Sequence, residues 1–386
     1  MSSLPLVESG KAVGLAELPV RDELRGQAAY GAPQVDVPVR LNTNENPYEP
    51  PAEVVVAVAA AVSAAAAGLH RYPDRDAFEL RARLAAYVEG IVGANAGIGP
   101  DLIWAANGSN EILSQLLQAF GGPDRVALGF EPTYTMHRLI ARGTGTEYRT
   151  AKRDTTFNID VDAAVAQIQN ERPDVVFVCS PNNPTGTGTA LAVIERLYDA
   201  VAVGPEGILI IDEAYAEFSS QPSAVGLLPG RPRLIVSRTM SKAFAFAGAR
   251  VGYLVADPGV VDAVQLVRLP YHLSSLTQAA AIAALDHADA LLVGVGELKR
   301  QRDRIMEFCR VARLPVVPSD ANFVLIGGFA DSATAWRELL DRGVLVRDVG
   351  LASWLRVTAG TAAETTAFLA ALSDILGVPA TTTMEP

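Results

Sequence analysis

The stretch Arg238-Thr-Met-Ser-Lys-Ala-Phe-Ala-Phe-Ala-Gly-Ala-Arg-Val-Gly252 sets one of the chain's four lysines among small and aromatic residues. The other three, Lys11, Lys152 and Lys299, have polar or charged neighbours, and arginine supplies the rest of the 32 basic residues. A low-dielectric setting and a nearby cation, here Arg250, both destabilise an ammonium, so Lys242 is expected to have a lowered pKa. An amine of that kind can attack a carbonyl and form a Schiff base. A lysine snorkelling from a small-residue helix would look the same locally. The surroundings must decide.

Lys242 follows the apolar run Leu234–Ser237 directly. Comparable runs occur at Leu102–Ala105, Val126–Phe130, Asp174–Cys179, Ile208–Ile211 and Val251–Ala256, alternating with helical stretches. Runs without polar alternation suit strands buried on both faces, and the rhythm predicts an α/β fold with a largely parallel sheet flanked by helices. Upstream, Val54–Ala67 reads as a helix between Pro50-Pro51 and Gly68. After about Arg268 the pattern changes to a long helical stretch, Ser275–Val311. There follow Phe323–Ile326, a helix near Ala333–Arg342, Val344–Arg347, Leu355–Val357 and a last helix near Ala363–Leu376. This predicts an N-terminal arm over 1–44, a large α/β domain over 45–270 and a smaller α+β domain over 271–386. The arm is expected to pack with the small domain and over the active site.

With 49% apolar and 19% charged residues, the composition is that of a globular protein with a sizeable core. A net charge of −11 argues against general nucleic-acid binding. Cys179 and Cys309 match no disulfide or metal framework, and the four histidines lack H-x-x-x-H spacing, which argues against a metal site. The N-terminus shows no basic region followed by an apolar core, and Val54–Ala67 is too short to span a bilayer. The expected compartment is the cytoplasm, with no membrane partner.

In open α/β sheets ligands bind beyond the carboxyl ends of the strands. After Leu102–Ala105 stands Asn107-Gly108-Ser109-Asn110-Glu111, opening a helix. A glycine turn there presents free N–H groups and a positive dipole end to a phosphate, although an ordinary N-cap would use the same residues. Tyr134, after Val126–Phe130, suits stacking on a planar ligand or packing in the core. Ser180-Pro-Asn-Asn183-Pro-Thr-Gly186 holds an amide on a rigid loop. The adjoining Gly186-Thr-Gly188 lacks the third glycine of a dinucleotide fingerprint, which excludes a nicotinamide site. Asp212, continuing Ile208–Ile211, is costly to ionise without a positive partner, either an arginine or a protonated ring nitrogen. Together these ends offer a phosphate cradle, an amide, a carboxylate, a phenol, an aromatic face and an amine. Those groups meet the demands of pyridoxal 5′-phosphate.

The set Asn-Gly-Ser-Asn-Glu, Ser-Pro-Asn-Asn-Pro-Thr-Gly, Asp-Glu-Ala-Tyr and Ser-Lys-x-x-x-x-Ala-Gly-x-Arg resembles the class I/II, fold-type-I pyridoxal-phosphate aminotransferases. Within them the chain is similar to the histidinol-phosphate aminotransferase subgroup. That similarity rests on Arg40–Pro47, Arg71–Asp74, Pro270–Leu273, Pro318–Phe323 and Leu345–Asp348. It runs from about Leu18 to Leu376.

The resemblance implies that Lys242 carries the cofactor and shuttles a proton. Asp212 pairs with the ring nitrogen, Tyr215 and Asn183 with the ring hydroxyl, and Tyr134 stacks on the ring. Gly108, Ser109, Asn110, Thr239, Ser241 and Arg250 surround the phosphate. Arg356 and Arg347 grip the substrate's anionic groups, with Asn46 and the arm residue Tyr30 completing its site. Ala29 stands where the family usually has proline, a departure in the arm. Tyr72 is expected to reach the site of a partner subunit, which implies a homodimer. The implied reaction passes an amino group from L-glutamate to imidazole-acetol phosphate in histidine biosynthesis. An aromatic-amino-acid aminotransferase on the same scaffold is the alternative, with a lyase or decarboxylase further off.

Overall fold

The computed structural model describes residues 13–27, 29–93, 96–203 and 207–378. The first twelve residues of the expected arm and the last eight of the expected small domain lie outside that set. The chain divides into two compact units, Met1–Pro33 and Gln34–Pro386. In the first, short 3-10 turns occupy Leu15–Glu17 and Asp22–Leu24.

The second unit opens with β1 (Val39–Arg40) and helices α1 (Ala52–Ala66) and α2 (Phe78–Val92). A seven-stranded sheet follows: β2 (Ile103–Ala106), β3 (Val126–Glu131), β4 (Glu147–Lys152), β5 (Val175–Cys179), β6 (Ile208–Asp212), β7 (Leu234–Thr239) and β8 (Gly252–Ala256). Their spatial order is β2-β8-β7-β6-β5-β3-β4. β8 is antiparallel to both of its neighbours, and the other pairings are parallel. The six apolar runs of the sequence each form a strand, within a residue or two at their ends. β4 escapes the sequence reading because its Glu-Tyr-Arg-Thr-Ala-Lys composition is that of a partly solvated edge strand.

Helices α3 (Ser109–Phe120), α4 (Thr135–Gly143), α5 (Val161–Glu171), α6 (Leu191–Ala202) and α7 (Pro258–Val267) connect or flank these strands. Successive strand residues point to opposite faces, and β5 shows the consequence. Val176 and Val178 join a core with residues of α2, α5 and α6, while Val175 and Phe177 join another with α3, α4 and α7. Burial on both faces is why the strand contains no polar alternation.

The expected helix over Ser275–Val311 is two helices, α8 (Ser275–Leu285) and α9 (Ala288–Val311), bent by 73° at their junction. The bend has a packing reason. Leu291 and Leu298 of α9 join the core of the large sheet, whereas Ile305 and Cys309 join a third cluster. That cluster is completed by α10 (Ser332–Asp341), α11 (Ala362–Leu376) and the inner face of a second sheet. The second sheet contains β9 (Phe323–Ile326), β11 (Arg347–Asp348) and β12 (Leu355–Thr358), antiparallel in the order β11-β12-β9. β10 (Val344–Leu345) pairs instead with β1, in parallel. On β12, Leu355 and Val357 belong to the third core, so Arg356 and Thr358 present the opposite face.

Candidate active site

Strands β2, β3, β5, β6 and β7 run in one direction, so their carboxyl ends open along one edge of the sheet. At the end of β2, α3 begins at Ser109 with Gly108 as N-cap, at φ 84 and without a side-chain cap. Glu111 N and Ile112 N donate to Gly108 O at 3.1 and 3.5 Å, which leaves the N–H groups of Ser109 and Asn110 to face an anion. A Cβ on Gly108 would lie 2.5 Å from Arg250 Nη2, and one on Gly252 would lie 2.2 Å from Ser109 N. Only glycine fits at either place. Arg250 Nη1 donates to Ser241 Oγ at 3.4 Å and to Ala247 O at 3.2 Å. Thr239 Oγ1 accepts the Ser241 N–H at 3.1 Å and donates to Val251 O, also at 3.1 Å. The residues expected around a phosphate are thus brought together from three segments.

Asp212, at the end of β6, is 1% exposed. Its Oδ2 lies 3.0 Å from Nε2 of His137, which is fully buried and stacks on Phe177 with ring centroids 4.6 Å apart. The side chain that Asp212 meets is therefore a histidine rather than one of the many arginines. The sequence reading missed it, although His137 lies three positions beyond Tyr134 at the start of α4, a spacing that groups side chains on a helix. Tyr134 packs edge-on to His137 and donates to Asn110 Oδ1 at 3.2 Å.

The two asparagines after β5 divide their work. Asn182 ties loops together, accepting from Thr133 Oγ1 and donating to Pro132 O and Thr185 Oγ1. Asn183 accepts from Arg356 Nη1 at 2.7 Å and donates to Tyr215 Oη at 3.5 Å. Burial, the largest influence, pushes the Tyr215 phenol up. Arg356 also donates to Asn42 O at 2.6 Å and lies over the Phe323 ring. In the β11–β12 register Arg347 pairs directly with Arg356, and directly opposed residues of antiparallel strands share a face. The two guanidinium-bearing residues are neighbours.

Lys242 is partly buried, and its Nζ donates to Thr43 O at 3.1 Å. Its pKa falls to about 8, through burial first, then Arg356 and Arg250, with Glu45 opposing. The lowering expected from the sequence is present, but the stronger cation is Arg356, 114 positions away in the chain by the residue numbers. Asn46 Nδ2 donates to Ala243 O at 3.2 Å, beside the lysine. The segment Asn42-Thr43-Asn44, at the end of the expected arm and without individual roles from sequence, touches site groups at three consecutive residues. Tyr72 lies on the surface, 79% exposed and stacked on Tyr271 at 4.4 Å. Tyr30 belongs to the N-terminal unit.

These groups fit pyridoxal 5′-phosphate: an anion cradle that a single Cβ would fill, a buried carboxylate, a phenol–amide pair, and an amine of depressed pKa. Residues 36–372 match the family "Aminotransferase class I and II". The chain is 56% identical over 370 residues to the histidinol-phosphate aminotransferase of Mycolicibacterium smegmatis, covering 96% of each protein. It is 58% identical over 363 residues to that of Nocardia farcinica, covering 93% of this chain and 92% of the relative. Among solved structures, histidinol-phosphate aminotransferase from Sinorhizobium meliloti in complex with pyridoxal-5′-phosphate superposes with a TM-score of 0.75 at 25% identity. That match covers 88% of this chain and 91% of the other. The chain belongs to the class I and II aminotransferases.

Proposed function

We propose that this aminotransferase passes the amino group of L-glutamate to imidazole-acetol phosphate, yielding 2-oxoglutarate and L-histidinol phosphate in histidine biosynthesis. Pyridoxal 5′-phosphate is its cofactor. The observation carrying the substrate assignment is the Arg347–Arg356 pairing, which gives one face two neighbouring cations. Two guanidiniums suit either glutamate's two carboxylates or a phosphate. The relatives at 56% and 58% identity support the same reading over the aromatic alternative.

When bound, the cofactor supplies an electron-accepting ring conjugated to an aldehyde. The remaining work belongs to the chain. The α3 N-terminus at Gly108–Ser109, with Asn110, Thr239, Ser241 and Arg250, would bind the phosphate. Asp212, oriented by His137, would hold a proton on the ring nitrogen. Tyr215 and Asn183 would hold the ring hydroxyl, and Tyr134 the ring face. Lys242 Nζ would carry a proton between the substrate Cα and the cofactor's aldehyde carbon, since a pKa near 8 leaves a useful unprotonated fraction at neutral pH. Asn46 would line the substrate side.

We also read the protein as a homodimer in which Tyr72 serves the partner's site. Exposed Leu69, Tyr72, Phe78, Leu266, Leu269 and Tyr271 support this. The Tyr72–Tyr271 stack and the Arg268–Asp76 ion pair at 3.0 Å join the two segments into one apolar surface. Tyr72→Ala should lose activity on its own and regain it when mixed with Lys242→Ala protein; full activity of Tyr72→Ala alone, or no gain on mixing, would count against shared sites. We place residues 45–270 as the large, cofactor-binding α/β domain and 271–386 as the small α+β domain, with 1–44 as the arm. The seven-stranded sheet lies within the first range and the three-stranded sheet within the second, which supports that division, while β1 of the arm pairs with β10. The buried Cys179 and Cys309, both free of disulfides, favour the cytoplasm.

The deciding assay pairs glutamate with imidazole-acetol phosphate or phenylpyruvate. The phosphate substrate should be preferred, and Arg347→Ala should damage its kcat/KM at least ~10-fold more than that of phenylpyruvate. Equal losses would remove Arg347 from phosphate recognition.

A further inference from the structure

Residues 42–44 meet three different site groups in succession. Asn42 O accepts from Arg356 Nη2 and Thr43 O from Lys242 Nζ, while Asn44 Nδ2 donates to Tyr215 Oη at 2.9 Å. Asn44 is 1% exposed and left-handed, at φ 57. Its backbone is clamped: the N–H donates to Thr358 Oγ1 at 3.1 Å, and the carbonyl accepts from Asn322 Nδ2 at 3.2 Å.

The orientation of the side-chain amide follows from that clamp. Thr358 Oγ1 already accepts the Asn44 N–H, and it donates to Asn44 Oδ1 at 2.9 Å. The NH2 end of Asn44 therefore faces Tyr215. Asn183 is fixed in the same sense, because its Oδ1 accepts from Arg356 and its Nδ2 lies 3.5 Å from Tyr215 Oη. A phenol oxygen offers two acceptor sites and one hydrogen. With amide donors on the acceptor side, the hydroxyl hydrogen is left to point elsewhere.

We propose that Asn44 is a positioning residue which, with Asn183, compels the Tyr215 hydroxyl to act as a donor toward the ring oxygen of the bound cofactor. This rests on the pyridoxal-phosphate reading above. Asn44 acts through Tyr215, and the hydrogen bond from Asn44 opposes the upward push of burial on the phenol, making it a better donor. A stronger donor disperses charge on the ring oxygen, so a proton on the loaded chromophore is held less tightly.

The test is a pH titration of the visible absorbance of protein loaded with pyridoxal 5′-phosphate. Asn44→Gly removes the side chain while tolerating the positive φ. It should raise the titration midpoint by about 0.5 pH unit. Tyr215→Phe should raise it further, and adding Asn44→Gly to Tyr215→Phe should change nothing more. An unmoved midpoint in Asn44→Gly, or the same shift in the Phe background, would overturn the proposal, the latter by revealing a merely structural effect. Asn44→Asp gives a second route if the glycine variant fails to fold. It keeps the size but presents an acceptor to Tyr215, so it should raise the midpoint by more, and a null or downward shift counts against the proposal. Absence of any visible band in the wild type would overturn the cofactor reading, and this inference with it.

Discussion

Arg238 and Lys242 stand four positions apart at the end of β7, and their surroundings give them opposite acid–base character. Arg238 is 1% exposed, with Nη1 at 3.2 Å from Glu213 Oε2 and Nη2 at 2.7 Å from Glu217 Oε1. Burial works against its charge, but Tyr253, Glu217 and Glu213 outweigh burial and hold its pKa well above the ordinary value. Lys242 meets burial with two guanidiniums nearby, and its pKa drops to about 8. A buried cation ringed by acids is a fixed part of the scaffold. One placed among other cations is kept reactive.

The most damaging challenge to this contrast is Lys242→Ala. Turnover should fall at least ~10⁴-fold in a steady-state assay, since the proposed attachment point and proton carrier would both be lost. Arg238→Met should instead leave two buried carboxylates unpaired. Denaturant unfolding should show a loss of roughly 3–5 kcal/mol, while the loaded protein keeps its visible band. If Arg238→Met abolished the band at unchanged stability, the division between scaffold and reactive cation would fail.

A subtler effect concerns the unloaded protein. The folded pKa of Lys242, about 8, lies below its ordinary value of 10.5, so between those values the unfolded chain binds more protons and wild-type stability rises with pH. Below pH 8 the full penalty is present. Lys242→Met should therefore stabilise the unloaded protein by about 1–3 kcal/mol at neutral pH. That advantage should shrink between pH 8 and 10.5, and a constant advantage across the window would refute the lowered pKa. The smallest expected change is kinetic. Arg356→Met should move the pH midpoint of cofactor capture upward by at most ~1 unit, with Arg250→Met moving it less.

Much of this contrast is legible in the sequence on one side only. Lys242 stands out as a lysine among apolar residues in an arginine-rich chain, and the apolar runs mark the strand ends where Asp212 and Asn183 stand. Part of what tames or activates each charge is contributed from far away. Arg356 reaches the site from another sheet, Asn44 meets Tyr215 across 171 positions, and Thr358 meets Asn44 across 314. Pairings of that kind are fixed by tertiary packing, which local periodicity does not record. His137 was within reach, three positions beyond Tyr134, but its partner Asp212 is 75 positions distant. β4 is hidden for a different reason, since an edge strand needs no apolar run.

The central claim, that Lys242 is the amine holding the cofactor, is tested most directly by borohydride reduction of the pyridoxal-phosphate-loaded protein followed by peptide mass mapping. The reduced pyridoxyl adduct should be found on the peptide containing Lys242 and not on those containing Lys152 or Lys299. An adduct on either of those lysines with Lys242 unmodified would contradict the account.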